Sequence, residues 1–196
     1  MHLNATDLSR DLYRLGDKLK PGDAATRYLR SLALKPDRSM RLLPDAGEHD
    51  FDIPYHGLML PLLTEGRQTG LLAQWITREG CETSAAGLRR FVAGEGCVQF
   101  GRPDDTLALT LRWQNALAIR QTHALPCWAF LYSWRLGGLV VPDGVEKIVL
   151  WGGGLDPAPG ATGAAWRPSQ ADAWAEALER KGCRVECVAE GINGIG

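Results

Sequence analysis

The sequence predicts an α/β protein: a mostly parallel sheet with flanking helices in the carboxy-terminal half, preceded by a smaller α+β segment. Three observations lead there. From residue 106 onward, short and nearly all-apolar runs alternate with stretches of helical period. Two apolar runs between residues 57 and 77 flank a turn-like Glu65-Gly66-Arg67-Gln68. The composition, 45% hydrophobic and 23% charged over 196 residues, is that of a chain with a real core rather than a disordered or fibrous one. A chain of this length buries roughly two-thirds of its unfolded surface and folds without staples.

In chain order, residues 5–20 and 23–34 are expected as two short helices. Asp23 is placed to cap the second, where Ala24, Tyr28, Leu29 and Leu32 recur at helical spacing until Pro36 and Pro44 end the pattern. A hairpin over residues 57–77 follows, then a short strand over residues 97–100. The boundary between halves is expected at residue 104, giving segments 1–104 and 105–196. In the second segment residues 106–111, 127–132, 146–151 and 183–188 are expected as strands. Trp113 to His123 is expected as a helix, with a short helix before the third strand. Between the third and fourth strands, Ser169 is placed to cap a helix striped by Ala171, Trp174, Ala175 and Leu178, with Gly182 ending it. Strands covered on both faces are apolar throughout, as these are.

Lys plus Arg number 22 and Asp plus Glu 23, so the net charge is -1 and the overall positive excess of a non-specific phosphate binder is absent. Residues 1–50 carry 9 basic and 8 acidic groups, residues 51–105 carry 5 and 7, and residues 106–196 carry 8 and 8. No segment is a charged arm, and a local basic patch stays open. The longest apolar stretch, Leu125 to Trp134, is too short to span a bilayer, and the polar amino terminus shows no export signal. No membrane partner is expected. Five cysteines, an odd number without Cys-x-x-Cys spacing, point to a reducing cytoplasmic setting and to thiols packed as small apolar groups. Cys183, Val185 and Cys187 are expected on one buried strand face.

Several strings then resemble, in order and spacing, the toprim domain of phage- and plasmid-type primases and primase-helicases. They are Asp105-Thr106-Leu107-Ala108-Leu109, Asn115-Ala116-Leu117-Ala118, Leu125-Pro126-Cys127-Trp128-Ala129 and residues 142–150. Residues 25–31 and 89–96 are similar to the segment that precedes toprim in those proteins. The resemblance implies a Glu just past the first strand and an Asp-x-Asp pair past the third, because Mg²⁺ and phosphoryl transfer require hard anionic oxygens. The chain departs from that pattern. The Glu position falls on Leu111, a second acidic position on Gln114, and the Asp-x-Asp position near Gly153-Gly154-Leu155, with only the displaced Asp156 as a weak metal ligand.

The resemblance thus implies the fold without its usual chemistry: an inactive accessory protein of a mobile element, binding nucleic acid or a replication partner, with no catalytic residue and no cofactor. Two alternatives remain. One is a Mg²⁺-dependent primase or nuclease using Asp156 with Glu95, Asp104 or Asp105; the other is a pure protein-interaction module. Gly152, Gly153 and Gly154 stand at the carboxyl end of the third strand, either approaching a phosphate or making a plain turn. Arg112, Gln114 and Asn115, with Arg135 after the second strand, form either a phosphate pocket or ordinary helix-start surface. Trp128, Trp151 and Trp174 fit the core. Trp113, Trp134 and Trp166 lie beside the ligand-end loops, where exposed rings would stack on bases or dock a protein.

Overall fold

The structure, a computed structural model, describes residues 4–47, 55–82, 90–130, 139–152 and 168–188. Its chain forms two compact units, residues 1–96 and 97–196.

The first unit is a five-stranded antiparallel sheet with two helices. Helix α1 (Ala5–Leu15) is capped by Asn4, whose side chain accepts from the Thr6 amide. It is shorter than the expected 5–20. Gly16 leaves the helix in an extended conformation and the chain turns into β1 (Asp17–Lys18); the position has no room for a side chain, since an added Cβ would overlap Met59 Cε and stand 2.8 Å from the Arg41 Cβ. Asp23 caps α2 (Ala24–Ser31) as expected: its carboxylate accepts from the Thr26 amide at 2.7 Å and from the Lys20 amide at 2.7 Å. The helix ends three residues early. Ala33 takes the left-handed conformation (φ 56°), and Leu34 N–H donates to the Leu29 carbonyl, closing a Schellman-type cap.

Strand β2 (Arg41–Gly47) was not expected, since Pro44 reads as a breaker; the pairing with β3 (Tyr55–Thr64) shifts register between Leu43 and Gly47, which accommodates it. Strand β4 (Arg67–Thr77) forms the expected hairpin with β3. Glu65 and Gly66, both at positive φ, supply the two-residue turn that matches strand twist. Strand β5 (Arg90–Gly94) completes the order β1-β2-β3-β4-β5. Alternation puts Met59, Leu71, Ala73 and Trp75 on the face that Leu12 and Tyr13 of α1 cover. Leu58, Leu60, Leu62, Leu72 and Ile76 are fully buried on the other face. Arg27 of α2 donates to the carbonyls of Gly22, Arg78 and Glu79, fastening the helix to the turn after β4.

The second unit is the expected mostly parallel sheet. Its strands are β6 (Val98–Phe100), β7 (Thr106–Thr110), β8 (Cys127–Ala129), β9 (Lys147–Trp151) and β10 (Arg184–Val188), in the order β10-β9-β7-β8-β6. The four pairs among β7 to β10 and β6 comprise three parallel ladders and one antiparallel ladder, β6 with β8. Residues 98–100, expected in the first segment, therefore belong to this sheet. Helix α3 (Trp113–His123) has the expected bounds and α4 (Pro168–Glu179) precedes β10. Ser169 is the second residue of α4 rather than its cap, because proline at the first helical position already starts the helix with its fixed φ. The expected short helix before β9 does not appear over residues 139–146, and residues 131–138 lie outside the described ones.

Leu107, Leu109, Leu111, Trp128, Phe130, Ile148 and Leu150 form one apolar layer with Leu178, Trp174 and Ala175 of α4. The alternate residues Ala108, Cys127, Ala129 and Val149 are buried on the opposite face, where α3 packs over β7 and β8. Their small side chains face a helix rich in alanine, which permits close approach. Cys183 is buried as expected, but Cys187 is exposed: β10 is an edge strand whose residues 184 and 186–187 face solvent.

Candidate nucleic-acid interface at the carboxyl end of the sheet

Strand β7 is central, with β8 on one side and β9 on the other. The chain leaves β7 through α3 toward β8, and leaves β9 through α4 toward β10, so the two connections diverge. Open α/β sheets bind ligands in the crevice at such a switch point, beyond the carboxyl ends of the strands. Leu109 and Leu150 are partners in the ladder, which sets Leu111 and Arg112 beside Trp151 and Gly152. The topology thus brings together the two stretches singled out from the sequence.

Leu111, at the expected acid position, is 7% exposed and belongs to the apolar layer beneath α4. Its neighbour Thr110 keeps the sheet going, its carbonyl accepting from the Phe130 amide at 2.8 Å. A carboxylate at 111 would have to enter that apolar layer or leave the strand line. Arg112 follows as the N-cap of α3, with an extended backbone (φ -123°, ψ 131°), no side-chain capping bond and partial exposure. The first turn of α3 carries no acid, so the helix dipole and the Arg112 guanidinium add to one another at this end.

Three expectations for this site change. Trp113 is 1% exposed, so its indole is core and offers no stacking face; as the first residue of α3 its side chain turns inward over the sheet. Asn115 is 3% exposed and is likewise an interior residue rather than a surface ligand. The Gly152 amide donates to the Val188 carbonyl at 2.9 Å, so it extends the β9–β10 ladder by one residue instead of facing a phosphate. Gln114 is partly exposed beside Arg112. Gly153, Gly154, Asp156, Trp134, Arg135 and Trp166 lie outside the described residues. Trp128 is core as expected, whereas Trp151 is half-buried and packs its ring 4.9 Å from that of His123.

Of the acids proposed for a relocated metal site, Asp104 and Asp105 lie at the opposite end of the sheet from Gly152. Asp105 precedes β7, and its carbonyl accepts from the Glu146 and Lys147 amides at the amino end of β9. Five strand residues, roughly 16 Å, separate that end from Gly152. Among the described residues no three of His, Cys, Asp and Glu gather at metal-ligand spacing. Buried thiols add no nucleophile: burial pushes Cys97 up to about 12 and raises Cys127 further. The sequence tally missed one feature, a cationic cleft beside α2 lined by Lys20, Arg30 and Lys35, because nearby acids cancel it in a sum over residues 1–50.

No family model matches the chain, and no curated protein does. Among solved structures it is similar to the Aquifex aeolicus primase, described as its zinc-binding and RNA polymerase domains, with a TM-score of 0.59 at 12% identity. The match covers 96% of this chain and 54% of that one, so the chain spans about half the length of the solved neighbour. The fold is primase-like, an α+β unit followed by a mostly parallel α/β unit. No helix among the described residues is long and apolar enough to cross a membrane.

Proposed function

We propose that the protein is a primase-derived, toprim-like accessory factor of a mobile element that binds nucleic acid or a replication partner without performing phosphoryl transfer. The single observation that carries this reading is Leu111. At the point where the resemblance expects a proton-transferring glutamate, the chain holds a leucine built into the apolar layer of the sheet. Leucine neither moves a proton nor binds a metal, and the next side chain is the cation Arg112. An uncapped, acid-free helix start beside an arginine suits a phosphate that is held rather than cleaved. The primase-like fold supports nucleic acid as the partner class, and the anionic DNA backbone supplies the charge that this end lacks.

The test is a titration of single-stranded and forked DNA, followed by fluorescence anisotropy between about 50 and 200 mM salt, with and without Mg²⁺. Expected are binding that weakens as salt rises, a lower affinity for Arg112→Glu, and no new primers or cleavage products on adding Mg²⁺. Absence of binding at the lowest salt, or Mg²⁺-dependent synthesis or cleavage, overturns the reading.

A further inference from the structure

We infer that the amino-terminal unit carries a second contact for a nucleic-acid backbone, in the cleft between the β1–α2 loop and the carboxyl end of α2. The cleft has a volume of about 560 Å³ and is open to solvent; Lys20, Thr26, Arg30 and Lys35 line it together with apolar Leu34 and Pro21. No acid is among its lining residues. The segment that carries the cleft, residues 17–38, is basic: Lys18, Lys20, Arg27, Arg30, Lys35 and Arg38 stand against three acids. Six minus three leaves +3 in a chain whose net charge is -1.

Two of those three acids are already engaged. Asp23 accepts from the Lys20 and Thr26 amides as the α2 cap. Asp37 accepts from the Ser39 amide at 2.8 Å and from its hydroxyl at 2.6 Å. Neither carboxylate sits in the cleft, and the lining side chains Lys20, Arg30 and Lys35 are exposed, where their charges reach an incoming strand. Lys20 comes from before α2, Arg30 from its last turn and Lys35 from after it, so the cations are not confined to one helix face. A spread of point charges over an open, partly apolar trough fits successive phosphates with a sugar between them better than it fits a single enclosed anion. The inference does not depend on the Arg112 end of the second unit.

The experiment compares the wild-type chain, the triple variant Lys20→Gln/Arg30→Gln/Lys35→Gln, Arg112→Glu, and the control Arg10→Gln, whose arginine pairs with Asp7 on α1. Each is titrated with a 20-nucleotide single strand over a salt series, with inorganic polyphosphate as competitor. Each phosphate contact to a single strand contributes about 0.7 to the log–log salt slope, so removing three should lower it by about 2. That corresponds to roughly a 20-fold smaller loss of affinity between 50 and 200 mM salt. The three side chains are exposed, so an unchanged circular dichroism spectrum and melting curve are expected for the triple variant. A smaller slope in the triple variant, with the control unchanged, supports the cleft. An unchanged slope overturns it, as does polyphosphate displacing the strand at equal phosphate concentration. A triple variant that behaves as wild type while Arg112→Glu loses binding overturns the cleft and leaves the other reading standing; the opposite pattern does the reverse.

Discussion

Placing a glutamate at position 111 tests the central premise. Leu111 is 7% exposed and packs in the layer made by β7, β8, β9 and α4. Losing that leucine forfeits about 1.5–3 kcal/mol of burial. Placing a carboxyl group where the surroundings were built for apolar contact adds about 1–3 kcal/mol for its unmet hydrogen bonding. Leu111→Glu should therefore cost about 3–5 kcal/mol, against about 2–3 kcal/mol for Leu111→Ala at this strand end. With a urea m-value of about 2 kcal/mol/M, the midpoint should fall by about 1.5–2.5 M. Burial disfavours the charged carboxylate, so its folded-state pKa rises above the unfolded one. The defect is then smallest in acid and grows as pH climbs through that raised value. The assay is urea unfolding followed by tryptophan fluorescence at two pH values, with Mg²⁺ titrated into the folded variant. A midpoint unchanged from wild type, or a stable variant that takes up Mg²⁺ and makes primers, would refute the placement of residue 111 in the core.

Two further outcomes follow from the backbone and the thiols. Gly80 sits at φ +87°, and an added Cβ would lie 2.7 Å from the Ala24 carbonyl and 2.9 Å from the Tyr28 amide, so Gly80→Ala should cost about 1–3 kcal/mol in urea unfolding; wild-type stability would contradict the close approach of this turn to α2. Cys97 is protonated in the fold up to about 12 because it is buried, while the unfolded thiol ionises near its ordinary value of 9.0. The unfolded chain then binds fewer protons across that window, so stability that is full below about 9 should decline as pH rises through it; Cys97→Ala should make the decline shallower, and what is left should come from buried Cys127. In the native protein a disulfide reagent should label exposed Cys81 first and Cys187 more slowly, since partial burial, Asp172 and Glu179 raise the latter. Rapid labelling of all five thiols would contradict the burial of Cys97, Cys127 and Cys183.

Much of the fold is legible residue by residue. The 3.6-residue period of Trp113 to His123 and the apolar run of Thr106 to Thr110 mark α3 and β7 because both signals are local. The β3–β4 turn is legible for the same reason: Glu65-Gly66 stands between two apolar runs. Strand β2 is not legible, because its strand character comes from pairing with β3 across a bulge rather than from its own Arg-Leu-Leu-Pro-Asp-Ala-Gly sequence. The site was half legible. That Leu111 and Arg112 come between β7 and α3 is readable from the local pattern, yet the burial of Trp113 and Asn115 and the engagement of the Gly152 amide depend on what lies across the sheet.

The order of residues alone determined the period of most elements, the paired apolar runs and the absence of an acid just after β7, since each is written within a few neighbouring positions. Only the tertiary structure decided that β6 joins the second sheet antiparallel to β8, which indoles are interior, and that Lys20, Arg30 and Lys35 line one cleft. Strand partnership, burial and electric field are sums over atoms far apart in the chain. A tally along the chain, such as 9 basic against 8 acidic groups in residues 1–50, therefore averages away the charge that folding gathers in one place.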